Sequence, residues 1–495
     1  MLFLMKRILV VIVILFSSGF LSAQKHDYNW IFGKGNGWQP AEEWGGEVID
    51  FNTTPPQVKM DDRELNFNTY STACSDSTGK LLFYTNGLKI HNYTHHLIEN
   101  GDTINPGELW NSSSDTDGYI GYGLWALPMP GKQNFYMLFH NGAFFEEDSF
   151  FIRNSPLYYS IIDMNANGGL GKVLEKNKII FESDGSLGWS AACKHGNGRD
   201  WWITSYKMQE NAQYTWLLSP LGLTGPWIQE IGPAIPYPEG RAKCAFSPDG
   251  KTYVRNDSKN GPRIMDFDRC SGTFSNMRII PYSGGTYSWG CSFSPESRFL
   301  YLDSPKAVHQ VDLKASNLSA SFDTIGLRPN GVCPIEPWTR AAYMSQEGPD
   351  GKIYLPSHTG SSKCFHRIEN PSLPGMAAEM GYSVLSVPRW YRLTVFSFPN
   401  YRLGEYEESP CDTLNFQTSE DQFFKTHYEP GKANSTTKSP EYTIFDTIQG
   451  STNPEVLRDK EENGDLEKVM YRLWMERNNP DAQMYPPNFI RKKPK

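Results

Sequence analysis

The chain has 495 residues, 39% of them apolar and 14% aromatic, with 43 Gly and 34 Pro. Aromatics in that number supply a large core, which excludes a disordered chain, and the abundance of turn formers excludes a coiled coil. The formal net charge is −8, so the chain lacks the basic surplus that phosphate neutralisation demands, and nucleic acid is not an expected partner.

The chain opens on Lys6-Arg7, continues through the apolar run Ile8–Phe16 and small residues to Ala23, then turns polar at Gln24-Lys25-His26. That order of charge, apolar core and small residues is a secretory signal peptide. The apolar run falls well short of the roughly 20 residues of a spanning helix. Residues 1–23 are therefore read as a leader cut between Ala23 and Gln24. No Cys stands near the cut to carry a lipid, and no later stretch is apolar enough to span a membrane. The expected mature chain is exported, to the periplasm, the cell surface or the medium.

One short pattern then recurs: a strand end, a turn closing on Gly and Lys/Arg, and an aromatic or aliphatic strand. It runs Ser77-Thr78-Gly79-Lys80-Leu81-Leu82-Phe83-Tyr84, then Met129-Pro130-Gly131-Lys132, then Gly196-Asn197-Gly198-Arg199. It returns as Phe246-Ser247-Pro248-Asp249-Gly250-Lys251, as Phe293-Ser294-Pro295-Glu296-Ser297-Arg298, and as Gly348-Pro349-Asp350-Gly351-Lys352. The anchors Gly79, Gly131, Gly198, Gly250, Ser297 and Gly351 lie 52, 67, 52, 47 and 54 residues apart. Pro fixes φ at the start of such a turn and Gly accepts positive φ at its end. The following residues suit half-buried strands.

A period near 50 with several short strands per unit describes a β-propeller. Six anchors give six internal blades. Asn29–Gly33 and Gly46–Phe51 before them, and Leu393–Tyr401 after them, are strand pieces without an anchor. Sharing one blade between the termini closes the ring without an exposed edge. The expected fold is all-β, a propeller of seven blades over residues 24–404, with six blades as the alternative.

Several stretches mimic chemistry. Gly33-Lys34-Gly35-Asn36-Gly37 is Gly-rich, but no helix follows it to bind phosphate. His91, His95 and His96 suggest a metal cluster, yet residues four apart on a strand lie about 13 Å from each other. Asp115-Thr116-Asp117-Gly118 resembles part of a calcium loop but lacks the later bidentate Glu. Phe144–Phe151, in the longest interval between anchors, is either a functional insertion or an outer strand. Ala245 to Thr252 imitates a phosphate loop, and the repeat reads it as a turn. Gly-x-Ser-x-Gly, His-Glu-x-x-His and Cys-x-x-Cys are all missing. No catalytic, cofactor-binding or metal-binding residue is assigned, and no cofactor is expected.

Eight cysteines in an exported chain invite disulfides. Cys74, Cys193, Cys244 and Cys291 hold similar places before their turns and are read as buried thiols. The pairing of Cys270, Cys333, Cys364 and Cys411 stays open. Residues 405–450 read as linker or extended strand, and 451–495 as a tail. Within that tail Leu466, Val469, Met470, Leu473 and Trp474 give one apolar face to a helix over about 465–477.

The segments Asn29–Gly33, Leu81–Gly87, Asp266–Gly272, Gly348–Tyr354, Pro399–Gly404 and Ser409–Leu414, in this order, resemble a family of secreted Bacteroidetes β-propellers. These are WD-repeat-like proteins of the kind exported by type IX secretion and labelled gliding-motility-associated. The resemblance implies an extracellular or surface scaffold and no catalytic residues. It stops near Leu414, where a β-sandwich sorting domain would follow in relatives. The expected function is non-catalytic: a protein or glycan ligand at a propeller face, or a part in a surface assembly, with a partner contact through the C-terminal helix. The alternative is a polysaccharide- or peptide-processing enzyme with carboxylates in the central funnel.

Overall fold

The computed structural model describes residues 24–33, 43–67, 70–107, 110–111, 123–145, 152–183, 185–237, 239–240, 242–281, 288–304, 306–327, 344–357, 361–392, 394–406 and 411. The expected leader over residues 1–23, the residues beyond Cys411 with the helix expected at about 465–477, Asp115–Gly118 and Glu146–Phe151 lie outside them.

Seven sheets stand in chain order around an axis. Blade 1 holds β1 (Asn29–Gly33), β2 (Gly46–Asp50) and β3 (Gln57–Asp61); blade 2 holds β4 (Tyr70–Ser75), β5 (Leu81–Thr85) and β6 (Ile90–Asn92). Blade 3 is β7 (Trp125–Pro128), β8 (Phe135–Phe145), β9 (Ile152–Asp163) and β10 (Lys172–Phe181). Blade 4 is β11 (Ala191–Lys194), β12 (Trp201–Ser205), β13 (Ala212–Ser219) and β14 (Gly222–Glu230). Blade 5 is β15 (Ala245–Phe246), β16 (Thr252–Arg255), β17 (Arg263–Asp268) and β18 (Thr273–Ile279). Blade 6 is β19 (Gly290–Phe293), β20 (Phe299–Asp303), β21 (Ala307–Asp312) and β22 (Asp323–Leu327). Blade 7 is β23 (Gln346–Glu347), β24 (Ile353–Leu355), β25 (Ser361–Ile368) and β26 (Met380–Arg392). Each of blades 3 to 7 is a four-stranded antiparallel meander. The fold is a seven-bladed β-propeller.

Every anchor of the sequence repeat lies between the first two strands of a blade, in positive φ: Gly79 at 94°, Gly131 at 70°, Gly198 at 69°, Gly250 at 70°, Ser297 at 62° and Gly351 at 74°. Ser297 therefore takes a backbone conformation that costs an L-residue about 1–2 kcal/mol. Ser297→Gly relieves that cost but loses the bond that Ser297 Oγ accepts from Asp249 N at 3.0 Å and adds the entropy of Gly, so stability is expected to change by less than about 1 kcal/mol. The anchors also differ in what surrounds them. A Cβ on Gly351 would meet only Pro295 Cγ at 3.6 Å, whereas one on Gly250 would meet Cys193 Sγ at 2.6 Å and Leu403 Cδ2 at 2.8 Å. Gly250→Ala should therefore lower the denaturation midpoint clearly more than Gly351→Ala. Equal losses would show that backbone strain alone sets the cost.

Closure uses both ends of the chain. β27 (Val395–Phe396) pairs in parallel with β4, Val395 opposite Tyr70 and Phe396 opposite Ser71. Its Phe396 ring packs 4.6 Å from Trp30 of β1, and Phe398 stacks on the same indole at 5.7 Å. Trp30, Phe32, Phe51, Tyr354, Phe365, Tyr391 and Phe396 make one buried aromatic cluster that joins blades 1 and 7 to the closing strand. Between blades 3 and 4 the corresponding cluster contains Trp125, Phe139, Trp201, Trp216 and Tyr401. Aromatics dominate these seams because flat rings fill the wedge between fanned sheets and each buries 150–250 Å².

The rim of blade 2 is tied to blade 3. After β6 the chain turns back, and Val173 N donates to Glu99 O at 2.9 Å while Lys172 Nζ reaches Glu99 Oε1 at 2.6 Å. Asn100 Nδ2 donates to Val173 O and Asn177 Nδ2 to Thr103 O. This tie corrects one premise about the histidines. The strand ends at Asn92, and His91 and Leu97 form an antiparallel bridge across a turn. The three rings nonetheless have separate partners: His91 Nδ1 lies 3.1 Å from His95 O, His95 Nδ1 lies 3.0 Å from Tyr84 Oη, and His96 Nδ1 lies 3.2 Å from Thr94 Oγ1. Among the described residues no group of three His, Cys, Asp or Glu side chains is placed to hold a metal ion. The long interval after Gly131 is absorbed by the extended hairpin β8–β9, with Phe144 and Phe145 at the end of β8, so its strands lie in the middle of blade 3 and not at its outer edge.

Candidate functional site

The short first strands of the blades and the segment 397–403 enclose an axial cavity of about 80 Å³. It is lined by Asp27, Trp125, Trp189, Lys243, Ser292, Glu347, Asn400 and Arg402, among others. The volume is small beside the roughly 300–1,000 Å³ of a ligand pocket and suits a few water molecules.

The axis is narrow because the chain fills it with itself. Past β27 the polypeptide runs along the axis: Asn400 Nδ2 donates to Pro248 O at 2.8 Å, and Tyr401 Oη donates to Ala126 O at 2.6 Å. Arg402 Nη1 donates to Asp27 Oδ1 at 2.6 Å, and Gly404 O accepts from Arg269 Nη2 at 2.6 Å. Tyr406 N then donates to Gly196 O at 2.9 Å, and Cys411 is disulfide-bonded to Cys270 with their Cα atoms 5.1 Å apart. The closing segment therefore crosses from β4 to the face formed by the repeat turns.

Four charged side chains, Lys243, Glu347, Asp27 and Arg402, set the chemistry of this axis. Lys243, just before β15, is buried and donates to Ser345 O at 2.7 Å, Gln346 Oε1 at 2.8 Å and Phe396 O at 3.4 Å. It thus fastens blade 5 to blade 7 and to the closing strand. Loss of water around its ammonium pulls its pKa down to about 8, against the opposing pull of Cys291 and Asp303. Glu347 is partly exposed, towards the cavity. Burial pushes its carboxyl up to about 7, the positive charge of Arg402 opposes that, and Asp27 and Glu296 reinforce it. Asp27 is buried and already holds Arg402.

Protons bound at Glu347 give a pH signature. Its carboxyl titrates near 4.5 when unfolded and near 7 when folded, so the folded state binds the proton more tightly. Its contribution to stability is full below pH 4.5, declines as pH rises to about 7, and is constant above. Glu347→Gln should therefore match the native protein at pH 4 and exceed it by about 3 kcal/mol at pH 8. Denaturant titrations at the two pH values check this; the same offset at both would refute it.

Of the stretches singled out in the sequence, Ala245–Thr252 is a β-turn, with Ser247 N bonded to Thr252 O and Gly250 N to Ser247 O at 2.8 Å each. Cys74, Cys193, Cys244 and Cys291 are free and buried, as expected, and burial raises all four thiols. Of the open pairings, Cys270 joins Cys411, and Cys364 is disulfide-bonded as well. Asp27, Lys243, Glu347 and Arg402 were not singled out, since they stand in four separate segments that meet only at the axis.

No protein-family model matches the sequence, and no curated protein matches it. Solved structures do align with it. A Bacteroides fragilis protein provisionally named a 6-phosphogluconolactonase shares 10% identity over 74% of this chain and 96% of its own, with a TM-score of 0.39. A Lactobacillus plantarum protein shares 12% identity over 73% of this chain and 97% of its own, with a TM-score of 0.43. A quinoprotein alcohol dehydrogenase-like protein of Bacteroides thetaiotaomicron shares 10% identity over 74% of this chain and 76% of its own, with a TM-score of 0.36.

Proposed function

We propose that the protein is an exported, non-catalytic propeller that binds a protein or glycan through loops on one face, as a scaffold in a surface assembly. The observation that carries this reading is the filled axis. The funnel where an enzyme would converge its carboxylates holds residues 397–403, and Arg402 occupies Asp27.

Export is supported by the leader and by the Cys270–Cys411 disulfide, since such bonds persist in oxidising compartments. The resemblance to secreted Bacteroidetes propellers supplies a candidate route, type IX secretion, and a gliding-motility-like setting. The repeat turns, the residues from Gln24 to Tyr28, the segment up to Tyr406 and Cys411 crowd one face. Binding then falls to the opposite face, which carries the connections between blades, because loops on a rigid ring are free to vary. The C-terminal segment, with the helix read at about 465–477, is assigned the part of a tether or partner contact.

The test offers the purified chain to a glycan array and to cross-linking on intact Bacteroidetes cells, beside hydrolysis assays on polysaccharide and peptide substrates. Saturable binding without turnover supports the reading. Turnover that Asp27→Asn or Glu347→Gln abolishes would overturn it in favour of the enzyme.

A further inference from the structure

The first residues after the leader are docked on the turn face. Lys25 N donates to Ser77 O at 3.4 Å, His26 Nδ1 lies 2.6 Å from Ser75 O, and Asp27 pairs with Arg402 at 2.6 Å. Gln24 is held in a particular way. Its carboxamide oxygen Oε1 accepts from Lys194 Nζ at 2.6 Å. Lys194 is 3% exposed, donates also to Gly198 O at 3.0 Å, and stands 5.2 Å from the centre of the Trp201 ring. A fixed, desolvated ammonium is therefore aimed at the carbonyl of one particular glutamine. That glutamine becomes the N-terminal residue when the leader is cut after Ala23.

We propose that Gln24, once freed, closes on itself to a pyroglutamyl residue, with Lys194 as the activating group. The proposal rests on the leader reading above. The hydrogen bond from Lys194 Nζ draws electron density from Cδ and stabilises the oxyanion that forms when Cδ is attacked, which is how donors assist acyl transfer generally. The α-nitrogen of Gln24 attacks Cδ and the N–Cδ bond forms. The Cδ–Nε2 bond then breaks, a proton passes from the α-nitrogen to the departing nitrogen, and ammonia leaves. Oε1 becomes the lactam oxygen, which remains an acceptor for a donor such as Lys194 Nζ. The product also lacks the terminal positive charge, which Lys194 and the adjacent Lys25 disfavour.

The test expresses the full-length chain with its leader in an exporting bacterial host. The N-terminal peptide of the secreted protein is followed by tandem mass spectrometry from harvest onward. A peptide that starts at residue 24, is lighter by one ammonia and resists Edman degradation supports the proposal. Lys194→Met, shown to be folded by its circular dichroism, should keep the same cut and cyclise about tenfold more slowly. Lys194→Arg, which keeps a cationic donor, should recover most of the rate. A free amine at Gln24 after prolonged incubation overturns the cyclisation while leaving the leader reading intact. An unchanged rate in Lys194→Met overturns the role of Lys194. A chain that starts elsewhere overturns the leader reading and the inference together.

Discussion

Deleting residues 393–403 is expected to leave little or no soluble folded protein. The deletion removes Phe396 and Tyr401, 1% and 0% exposed, and opens a hole beside Trp30 and Trp201. Losing a buried aromatic costs about 3–5 kcal/mol each, so two of them approach the 5–15 kcal/mol that holds a typical domain together. The inner edge of β4 loses its parallel partner and becomes a template for association. Lys243 also loses Phe396 O while remaining buried. The soluble fraction after expression and a thermal melt decide the matter, and a soluble variant with an unchanged midpoint would show that the ring closes without this segment. Tyr401→Phe is the mild counterpart: the ring stays, the bond to Ala126 O is lost, and the cost falls to about 1 kcal/mol.

The second large effect belongs to the disulfide. Cys270 and Cys411 are 141 residues apart, so the bond closes a loop that contains blades 6 and 7 and the whole closing segment. In the chain-entropy picture a loop of that length contributes about 5 kcal/mol. Cys411→Ser should lower the thermal midpoint by about 6 °C for a folded unit of this size, using average unfolding entropies. Reduction of the native protein should cost at least that much, whereas Cys411→Ser should respond to reductant only through the bond of Cys364, and so less than the native protein does. If reductant lowered the midpoint of Cys411→Ser by as much as it lowers that of the native protein, the effect would belong to another bond.

The ring was legible in the sequence because its signature is local. A turn that needs positive φ at one position shows itself as Gly, and five of the six anchors are Gly. Ser297 was legible only through the Phe-Ser-Pro motif that it shares with the turn before it. The closing strand could be inferred from unmatched pieces at both ends, but not its partner. Val395 and Tyr70 pair across most of the chain, and nothing in either residue names the other. The axial groups were illegible for the same reason. Lys243 reads as an ordinary charge before a strand until blades 5 and 7 and residue 396 bring three carbonyl oxygens to it. The histidines misled in the opposite way: their spacing suggests a strand, and a turn after Asn92 places them otherwise.

The covalent tie between Cys411 and Cys270 also decides where the molecule takes a load. A pull on any residue beyond Cys411 reaches the ring at blade 5 through a bond that does not yield, and residues 395–406 carry no tension. With the bond reduced, the same pull would travel back through Tyr406 and Arg402 to β27, whose two backbone pairs with β4 would peel apart one after the other. With the bond oxidised, a load on the tail bypasses the closing segment. A reduced ring opens at its clasp, at a force far below that needed to tear a four-stranded blade in shear.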